Sequence, residues 1–356
     1  MDGKNSKKTF FLRKYCSYWL LAFMAITGIM ACHNGDGTPD VSGIKVTLQT
    51  RRLDRDLATI DTAHIADGVR ALSVKYPDFI NFYLDTLMGF GIRGNYSDTN
   101  AGIRVNLHSF LTHKDYRGLF DTIATHFPDT KQIDADLTKG FQFMKHYYPA
   151  YAVPKVIYFT SGLNNWSAIT YGTDIVGVGL DMYLGEQYKY YRSVGIPDYI
   201  ARNLRPESAP VNVFKSIYNN DHPFITDSRD LLDMMVQRGK EQYFLSKVIP
   251  FVPAETRLGF TPAQLAWCAA NEAGVYNFFV KEQFLYSTNF QKILRYVTDG
   301  PEATGMAAES PGNVGSWLGW KMVQAFMEAH PTMKMDDLLA IKDAQQILQQ
   351  GHYKPR

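Results

Sequence analysis

The sequence predicts an α+β domain that is predominantly helical and contains one small mixed or antiparallel sheet. Apolar residues alternate with polar ones at 44–48, as in a half-buried strand, and short apolar runs at 153–160, 167–171 and 174–180 are typical of further strands. Most of the remaining chain has the apolar spacing of helices. No fixed-period repeat is present, so we expect a single globular domain over 43–356.

The first residues have the order of a secretory signal. A stretch with five basic residues precedes an apolar run at 18–30, and this run is shorter than the about 20 apolar residues that a membrane span needs. The run ends in Ile29-Met30-Ala31-Cys32, which resembles the lipobox of bacterial lipoproteins. We therefore expect residues 1–31 to be removed and Cys32 to carry lipid. The alternative is an ordinary signal in which this cysteine is incidental.

Residues 32–42 are predicted to form the lipidated cysteine and a flexible tether. The sequence after Cys32 is HNGDGTPDVS, and its Gly, Asp and Pro residues favour irregular chain. Acyl chains contribute about 0.8 kcal/mol for each buried methylene group. Several acyl chains on one cysteine would therefore form a stable anchor, which makes the membrane the first predicted partner.

The charge and the cysteine count exclude some classes of protein. Removal of residues 1–31 takes away five basic residues and Asp2, which leaves 32 basic and 34 acidic residues and a formal net charge of −2. A near-neutral chain without a basic block gives no reason to expect nucleic acid as a partner. Cys16 lies in the signal and Cys32 is the lipidation site, so Cys268 is left without a disulfide partner. The fold must therefore be stabilised by its core.

The helical pattern has clear interruptions. Residues 61–88 and 104–150 are predicted to be mostly helical, with breaks at Pro128 and Pro149. Beyond residue 185 we expect almost wholly helical structure. Pro206 suits a helix start, because proline is tolerated at the first helical position.

The last third of the chain carries recognisable helix starts. Thr261 precedes a proline and is expected to cap a helix that continues through Phe279. Residues 312–330 and 335–349 are predicted to form the last two helices. Asn313 is expected to cap the first of these two.

The strand region contains a candidate hairpin and two glycines on one strand face. Gly172-Thr173 separates two apolar runs and is a candidate two-residue turn. Gly177 and Gly179 point to the same face of the following strand, so that face lacks side chains. Either a helix packs closely on this face or a peptide could approach it as an added strand.

The stretch ESPGNVGSWLGWKMVQAF at 309–326 combines glycines and tryptophans with an apolar helical pattern. Gly315 and Gly319 fall in the middle of the apolar arc, so we expect another backbone to approach there. Trp317 lies in the polar sector and Trp320 at its margin, so we expect one of them to be exposed. Neither GxxxxGK[ST] nor GxGxxG is present, so a phosphate-binding loop is not predicted.

Several long stretches resemble, in order, the GldB-type gliding motility lipoproteins of Bacteroidetes. They are YYPAYAVPKVIYFTSG, GLDMYLGEQYKYY, LGFTPAQLAWCAANEAGVYNFFVKEQFLYSTN and the 309–326 stretch, whose motif residues are Gly312, Gly315, Trp317, Gly319 and Trp320. The resemblance covers about 43–356. It implies an outer-membrane lipoprotein of the gliding machinery or of related envelope machinery, with envelope proteins as partners. It implies neither a reaction nor a cofactor.

The tether indicates on which side of the outer membrane the domain lies. Surface-exposed lipoproteins of the Bacteroidetes resemble one another in having a dense acidic cluster just after the cysteine. Here the only acidic residues of the tether are Asp36 and Asp40. The protein is therefore expected to face the periplasm.

The order of strands and helices also resembles, more distantly, that of zinc metallopeptidases related to the gluzincins. Such enzymes need His-Glu-x-x-His on one helix, because two imidazoles one turn apart bind the zinc. That motif is absent, and the closest-spaced histidines, His108 and His113, are five residues apart, which is the wrong spacing for a shared helix face. The resemblance therefore implies a metallopeptidase-like fold that has lost its metal.

Other catalytic patterns are weak, so we predict no catalytic residue, metal, cofactor or small-molecule ligand. There is no G-x-S-x-G, and Cys268 lies in an apolar helical segment that suggests a core residue. Two carboxylates could form a glycosidase pair, and the candidate acids are Asp54, Asp56, Glu272, Glu282, Asp336 and Asp337. Glu282 and Tyr286, four apart, are expected to be a surface pair on one helix. The alternative function is an envelope hydrolase of peptide or cell-wall material.

Overall fold

The computed structural model describes residues 37–227 and 229–356. Residues 41–356 form one compact unit. The predicted signal at 1–31 and the predicted lipidation site Cys32 lie outside the described residues. Among the helices of the described part, none is both long enough and apolar enough to cross a membrane.

The chain is predominantly helical with one small mixed sheet, which confirms the predicted fold class. The strands are β1 (Thr50–Arg52), β2 (Lys155–Phe159), β3 (Ala168–Tyr171) and β4 (Ile175–Gly179). The α-helices are α1 (Leu53–Ala58), α2 (Ile65–Lys75), α3 (His108–Thr112), α4 (Lys114–His126), α5 (Lys131–Tyr147), α6 (Tyr190–Ser193), α7 (Asp198–Ala201), α8 (Ala209–Asp221), α9 (Leu231–Val248), α10 (Ala254–Leu258), α11 (Pro262–Ala270), α12 (Glu272–Lys281), α13 (Phe290–Ile293), α14 (Val314–Ala329), α15 (Met335–Ala340) and α16 (Ala344–Gln350). Two π-helical segments, Phe82–Leu87 and Gly102–Leu107, and three 3-10 segments, Leu180–Tyr183, Pro206–Ser208 and Leu294–Tyr296, complete the regular structure.

The sheet has the strand order β1-β2-β4-β3. β1 and β4 both run parallel to β2, and β3 pairs with β4 in the antiparallel direction. The first strand lies two residues beyond the alternating segment at 44–48 that sequence patterning predicted. Its pairing puts Thr50 opposite Val156, which would place Leu48 opposite Pro154. Proline has no N–H to donate, so the ladder ends there.

The two strand glycines lie in the interior of the sheet. β3 and β4 form the predicted hairpin, but Tyr171 pairs with Ile175, so the turn has three residues instead of two. β4 is flanked by strands on both sides, so the alternative in which a peptide pairs with it as an added strand is wrong. A Cβ on Gly177 would lie 2.8 Å from the Ile169 side chain, and a Cβ on Gly179 would overlap the carbonyl oxygen of Trp166.

Helices cover both faces of the sheet. Ile157 and Phe159 of β2 pack with α1, α2, α3 and the π-helical segments, whereas Val156 and Tyr158 face α4, α5 and α8. This alternation follows from the side-chain period of two in a strand. A third cluster contains only helical and loop residues from Leu231 to the C-terminus. The domain therefore has a sheet-containing part and a wholly helical part.

Two predicted helices are each split in two. The helix predicted from Thr261 through Phe279 has its cap, since Thr261 and Gln264 form a reciprocal capping box, but it ends at Ala270. At this end the Asn271 side chain donates to the Trp267 carbonyl, 2.8 Å away, and the Asn271 backbone N–H donates to the same carbonyl at 3.0 Å. The helix predicted at 335–349 is interrupted at 341–343, where Asp343 starts a new helix by accepting from the Gln345 N–H, 2.9 Å away.

Helices α9 and α14 meet through glycines. A Cβ on Gly319 would overlap the carbonyl oxygen of Met235, and one on Gly239 would overlap the Gly319 carbonyl. A Cβ on Gly315 would lie 2.6 Å from the carbonyl oxygen of Tyr296. The two helix backbones are therefore in direct contact, which only glycine permits. Before the helix begins, Gly312 makes a similar approach to the backbone of Gly300.

Two expectations for α14 are wrong. Trp317 is buried and Trp320 is half-buried, because the sector that they occupy is covered by the helical part of the domain. The Arg257 guanidinium lies 5.7 Å from the centre of the Trp320 ring. Asn313 does not cap the backbone, since its side-chain oxygen accepts the Ser316 hydroxyl instead.

The contact between α9 and α14 predicts that Gly319→Ala lowers the free energy of unfolding by about 1–3 kcal/mol, since the added methyl group must push two backbones apart. Gly274→Ala in α12 is the matched control, because a Cβ there meets open space. The control should raise stability by about 0.5–1 kcal/mol through helix propensity. Chemical denaturation measures both changes. A stabilising effect of Gly319→Ala would contradict this account of the contact.

Candidate functional site

The acids near the N-terminus have partners inside the domain. Asp54 is buried and accepts two hydrogen bonds from Arg52, of 2.7 and 2.8 Å. Asp56 accepts the Tyr76 hydroxyl and lies 2.6 Å from the Lys75 ammonium. Both carboxylates hold α1 in place beside the sheet. They do not converge on a common point as a catalytic pair would.

The acids of the C-terminal half are separated as well. Glu272 is buried and accepts the Tyr353 hydroxyl at 2.7 Å. Glu282 is exposed and lies just beyond the end of α12. The expected helical pair of Glu282 and Tyr286 is wrong, because Gln283 adopts a left-handed backbone (φ 57°) and turns the chain away from the helix. Asp336 and Asp337 lie in the first turn of α15, where a negative charge is favourable.

The histidines and the remaining cysteine have local roles. His108 begins α3, and the His113 ring accepts the Asp115 backbone N–H at 3.3 Å, which caps α4. Within residues 37–227 and 229–356 there is no group of three or more His, Cys, Asp or Glu side chains that could hold a metal. Cys268 is fully buried, as predicted, and burial raises the pKa of its thiol to about 12.

A buried carboxylate that sequence patterning missed lies at the carboxyl ends of the parallel strands. Asp181 follows β4 and is fully buried. It accepts the Ser161 backbone N–H at 2.8 Å, the Ser161 hydroxyl at 2.7 Å and the Leu163 N–H at 2.7 Å. Burial raises the pKa of the Asp181 carboxyl, and these hydrogen bonds oppose that rise. Ser161 follows β2, so this carboxylate joins the ends of two neighbouring parallel strands.

Tyrosines enclose this carboxylate. Tyr191 donates to the Asp181 carbonyl at 2.8 Å, Tyr83 donates to the Thr160 carbonyl at 2.9 Å, and Tyr183 donates to the Ser167 carbonyl at 3.0 Å. All three tyrosines and Asp181 itself have no surface exposed to solvent. The arrangement orders the strand ends. The sequence signal that could have revealed it is an acid directly after a buried strand, at the edge where ligands or structural networks collect in such sheets.

One cleft in the described part of the chain is lined by tyrosines. It has a volume of about 620 Å³ and lies between the C-terminal ends of α5 and α14, helix α9 and the segment before α15. Tyr147, Tyr148 and Tyr243 contribute its aromatic surface. Burial, together with the nearby Asp336, raises the pKa of Tyr148. Gln324 also lines this cleft, and its side-chain oxygen has no hydrogen-bond partner within the described part of the chain. The cleft offers aromatic faces and hydrogen-bonding groups, which suit binding.

The Asp181 network predicts that Asp181→Ala lowers the free energy of unfolding by about 2–5 kcal/mol, because the Ser161 and Leu163 backbone N–H groups and the Ser161 hydroxyl lose their acceptor. Asp85→Ala is a matched control, since the Asp85 carboxylate accepts one N–H, from Arg93, near the surface. The control should cost about 1 kcal/mol. Urea denaturation followed by circular dichroism measures both. Equal costs for the two variants would show that the network does not order the strand ends.

Comparison with family models matches residues 34–355 to the family described as gliding motility protein GldB. Neither a curated protein nor a solved structure matches the chain, so the metallopeptidase likeness stays a prediction. The matched range includes all the stretches that carry the resemblance noted from the sequence, and the recognition is therefore confirmed. The chain belongs to the GldB family of gliding motility-associated lipoproteins.

Proposed function

We propose that the protein is a non-enzymatic component of gliding motility or related envelope machinery, held at the outer membrane by lipid on Cys32 and facing the periplasm. The family match over 34–355 is the observation that carries this proposal, together with the lipobox that precedes the matched range. The protein acts by contacts with other envelope proteins. We propose no catalytic residues and no cofactor for it.

The tether limits where such contacts form. Val41, the first residue of the compact unit, lies nine positions after Cys32. A fully extended chain spans at most about 3.5 Å per residue, so the unit begins within about 30 Å of the lipid. The tether therefore confines the start of the compact unit to the layer of periplasm next to the membrane.

The segment 280–290 is the proposed contact surface for a protein partner. Val280, Tyr286 and Phe290 are 49%, 60% and 44% exposed, and exposed apolar side chains that gather in one segment mark interaction sites. Tyrosine and phenylalanine are also enriched in the cores of protein interfaces. Val280 lies in the last turn of α12, and the left-handed backbone of Gln283 turns the chain away from this helix before Tyr286 and Phe290.

Lipidation is tested by Cys32→Ser. Without the thiol, lipid cannot be attached, and a lipoprotein peptidase does not cut the precursor. We expect loss of labelling by a fatty-acid probe and a slower-migrating uncut precursor on gels. Cys16→Ser, which alters the signal but leaves Cys32 intact, is the control and should be labelled and processed normally. Labelling that survives in Cys32→Ser would place the lipid elsewhere.

The contact surface is tested by photo-crosslinking in cells. A photoreactive amino acid in place of Tyr286 or Phe290 should give a discrete adduct with an envelope protein, identified by mass spectrometry. Val74 is the control position, because it is 83% exposed and lies on α2 in the sheet-containing part. An adduct of the same identity and yield from Val74, or no adduct from either test position, would contradict the proposed surface.

The non-enzymatic assignment has a separate test. Metal analysis of the purified mature chain should give far less than one zinc per chain, and incubation with peptides or cell-wall fragments should release no product. Stoichiometric zinc, or cleavage that a chelator abolishes, would favour an envelope hydrolase instead. This outcome is independent of lipidation at Cys32.

A further inference from the structure

We propose that a cavity beside α9 binds a carboxylate that carries an apolar group, with the Lys240 ammonium as the charge that holds it. The cavity, called here the Lys240 cavity, has a volume of about 320 Å³. It lies between the C-terminal end of α8, the segment 222–225, helix α9 and the segment 339–344. This volume is at the lower end of the range for small-ligand sites. The proposal does not depend on the proposed function.

Lys240 is the unusual group in this cavity. Its side chain is 7% exposed, and its ammonium donates to the Ile341 carbonyl at the end of α15. Within the described part of the chain, no carboxylate lies close enough to form an ion pair with it. An ammonium has three donors, so two remain for a ligand. Burial lowers the pKa of the ammonium to about 8, which shows how incompletely the surrounding protein compensates the charge.

The neighbouring charges are already matched. Arg238 donates to Glu241 at 3.2 Å, and its guanidinium lies 3.9 Å from the centre of the Phe224 ring. Arg229 lies 3.6 Å from Asp233. The one uncompensated buried charge of the cavity is therefore that of Lys240 among the described residues. A buried charge is costly unless it is paired, so a ligand that brings a single negative charge is favoured.

The walls indicate what else the ligand carries. Phe224, Ile225, Val236, Leu339 and Ile341 contribute apolar surface. The Gln237 side chain exchanges two hydrogen bonds of 2.9 Å with the backbone of Ile225, which holds this wall on α9. Asp221, Asp233 and Glu241 also line the cavity, and they disfavour a dianion such as phosphate. A monovalent carboxylate with a short apolar group satisfies both the charge and the walls.

Two sources have this chemistry, namely a small organic acid and the C-terminus of a protein chain. Isothermal titration calorimetry on the purified mature protein distinguishes them with butyrate and with the dipeptide N-acetylglycyl-leucine as free acid. The amide of the same dipeptide tests the role of the negative charge. We expect one or both acids to bind, and the amide to bind at least about tenfold more weakly, the loss of one charge-assisted hydrogen bond. Tighter binding of butyrate indicates a small acid, and tighter binding of the dipeptide indicates a chain end.

Lys240→Met keeps the length of the side chain and removes its charge. It should weaken acid binding by about tenfold or more and leave binding of the amide unchanged. Lys342→Met is the control, because Lys342 lines the same cavity but is exposed, and its effect should stay below about threefold. The comparison of acid and amide on the unaltered protein does not depend on the folding of any variant.

Four outcomes would overturn the proposal. They are equal binding of acid and amide, no saturable binding of either acid, tighter binding of inorganic phosphate, and an unchanged affinity in a folded Lys240→Met variant.

Discussion

The direct backbone contact between α9 and α14 is the constraint on which the rest of the structure depends. Helix α9 contributes Phe244, Leu245 and Val248 to the core beside the sheet, and its first turns contribute apolar residues to the helical core, namely Leu231, Leu232, Met234, Met235 and Val236. It is therefore buried on nearly all sides and joins the two parts of the domain. Its approach to α14 is possible because Gly239 and Gly319 remove the side chains from the crossing point. Since protein interiors are close-packed, the positions of the helices that pack on α14 follow from this contact.

The same contact determines where the polar groups of α9 lie. Gly239 touches α14, and the next residue along the helix, Lys240, is turned about 100° around the axis, toward the Lys240 cavity. The Lys240 ammonium then reaches the carbonyl at the end of α15. The glycines that allow α9 and α14 to pack closely thus also position the buried charge of Lys240. Because the two backbones are in contact, the helix turn next to Gly239 has little freedom to move. The Lys240 side chain therefore leaves α9 in a fixed direction.

The buried polar groups divide into two kinds. Asp181 and Asp54 are enclosed by donors from their own surroundings, and they order the ends of the strands. Lys240 has an incomplete set of partners and lines a cavity. Buried polar groups are normally satisfied within the protein, so the first kind explains stability and the second kind points to a ligand. This distinction separates the structural acids of the domain from its candidate binding site. A binding site without catalytic residues is consistent with the proposed role, in which the protein acts by contacts with partners.

The sequence by itself determined the helical α+β class, the lipobox, the family and the local signals of helix starts, such as the Thr261 capping box. These depend on residues that lie within a few positions of one another. Only the tertiary structure decided that β1 begins after 44–48, that Trp317 is buried, and that Asp181 and Lys240 are the notable charges. For β1, Asp181 and Lys240 the deciding partner is distant in the chain: Pro154 lies opposite the segment before β1, Ser161 binds Asp181, and Ile341 binds Lys240. A periodic pattern reports which face of an element is apolar, but it does not report which distant group will meet that face.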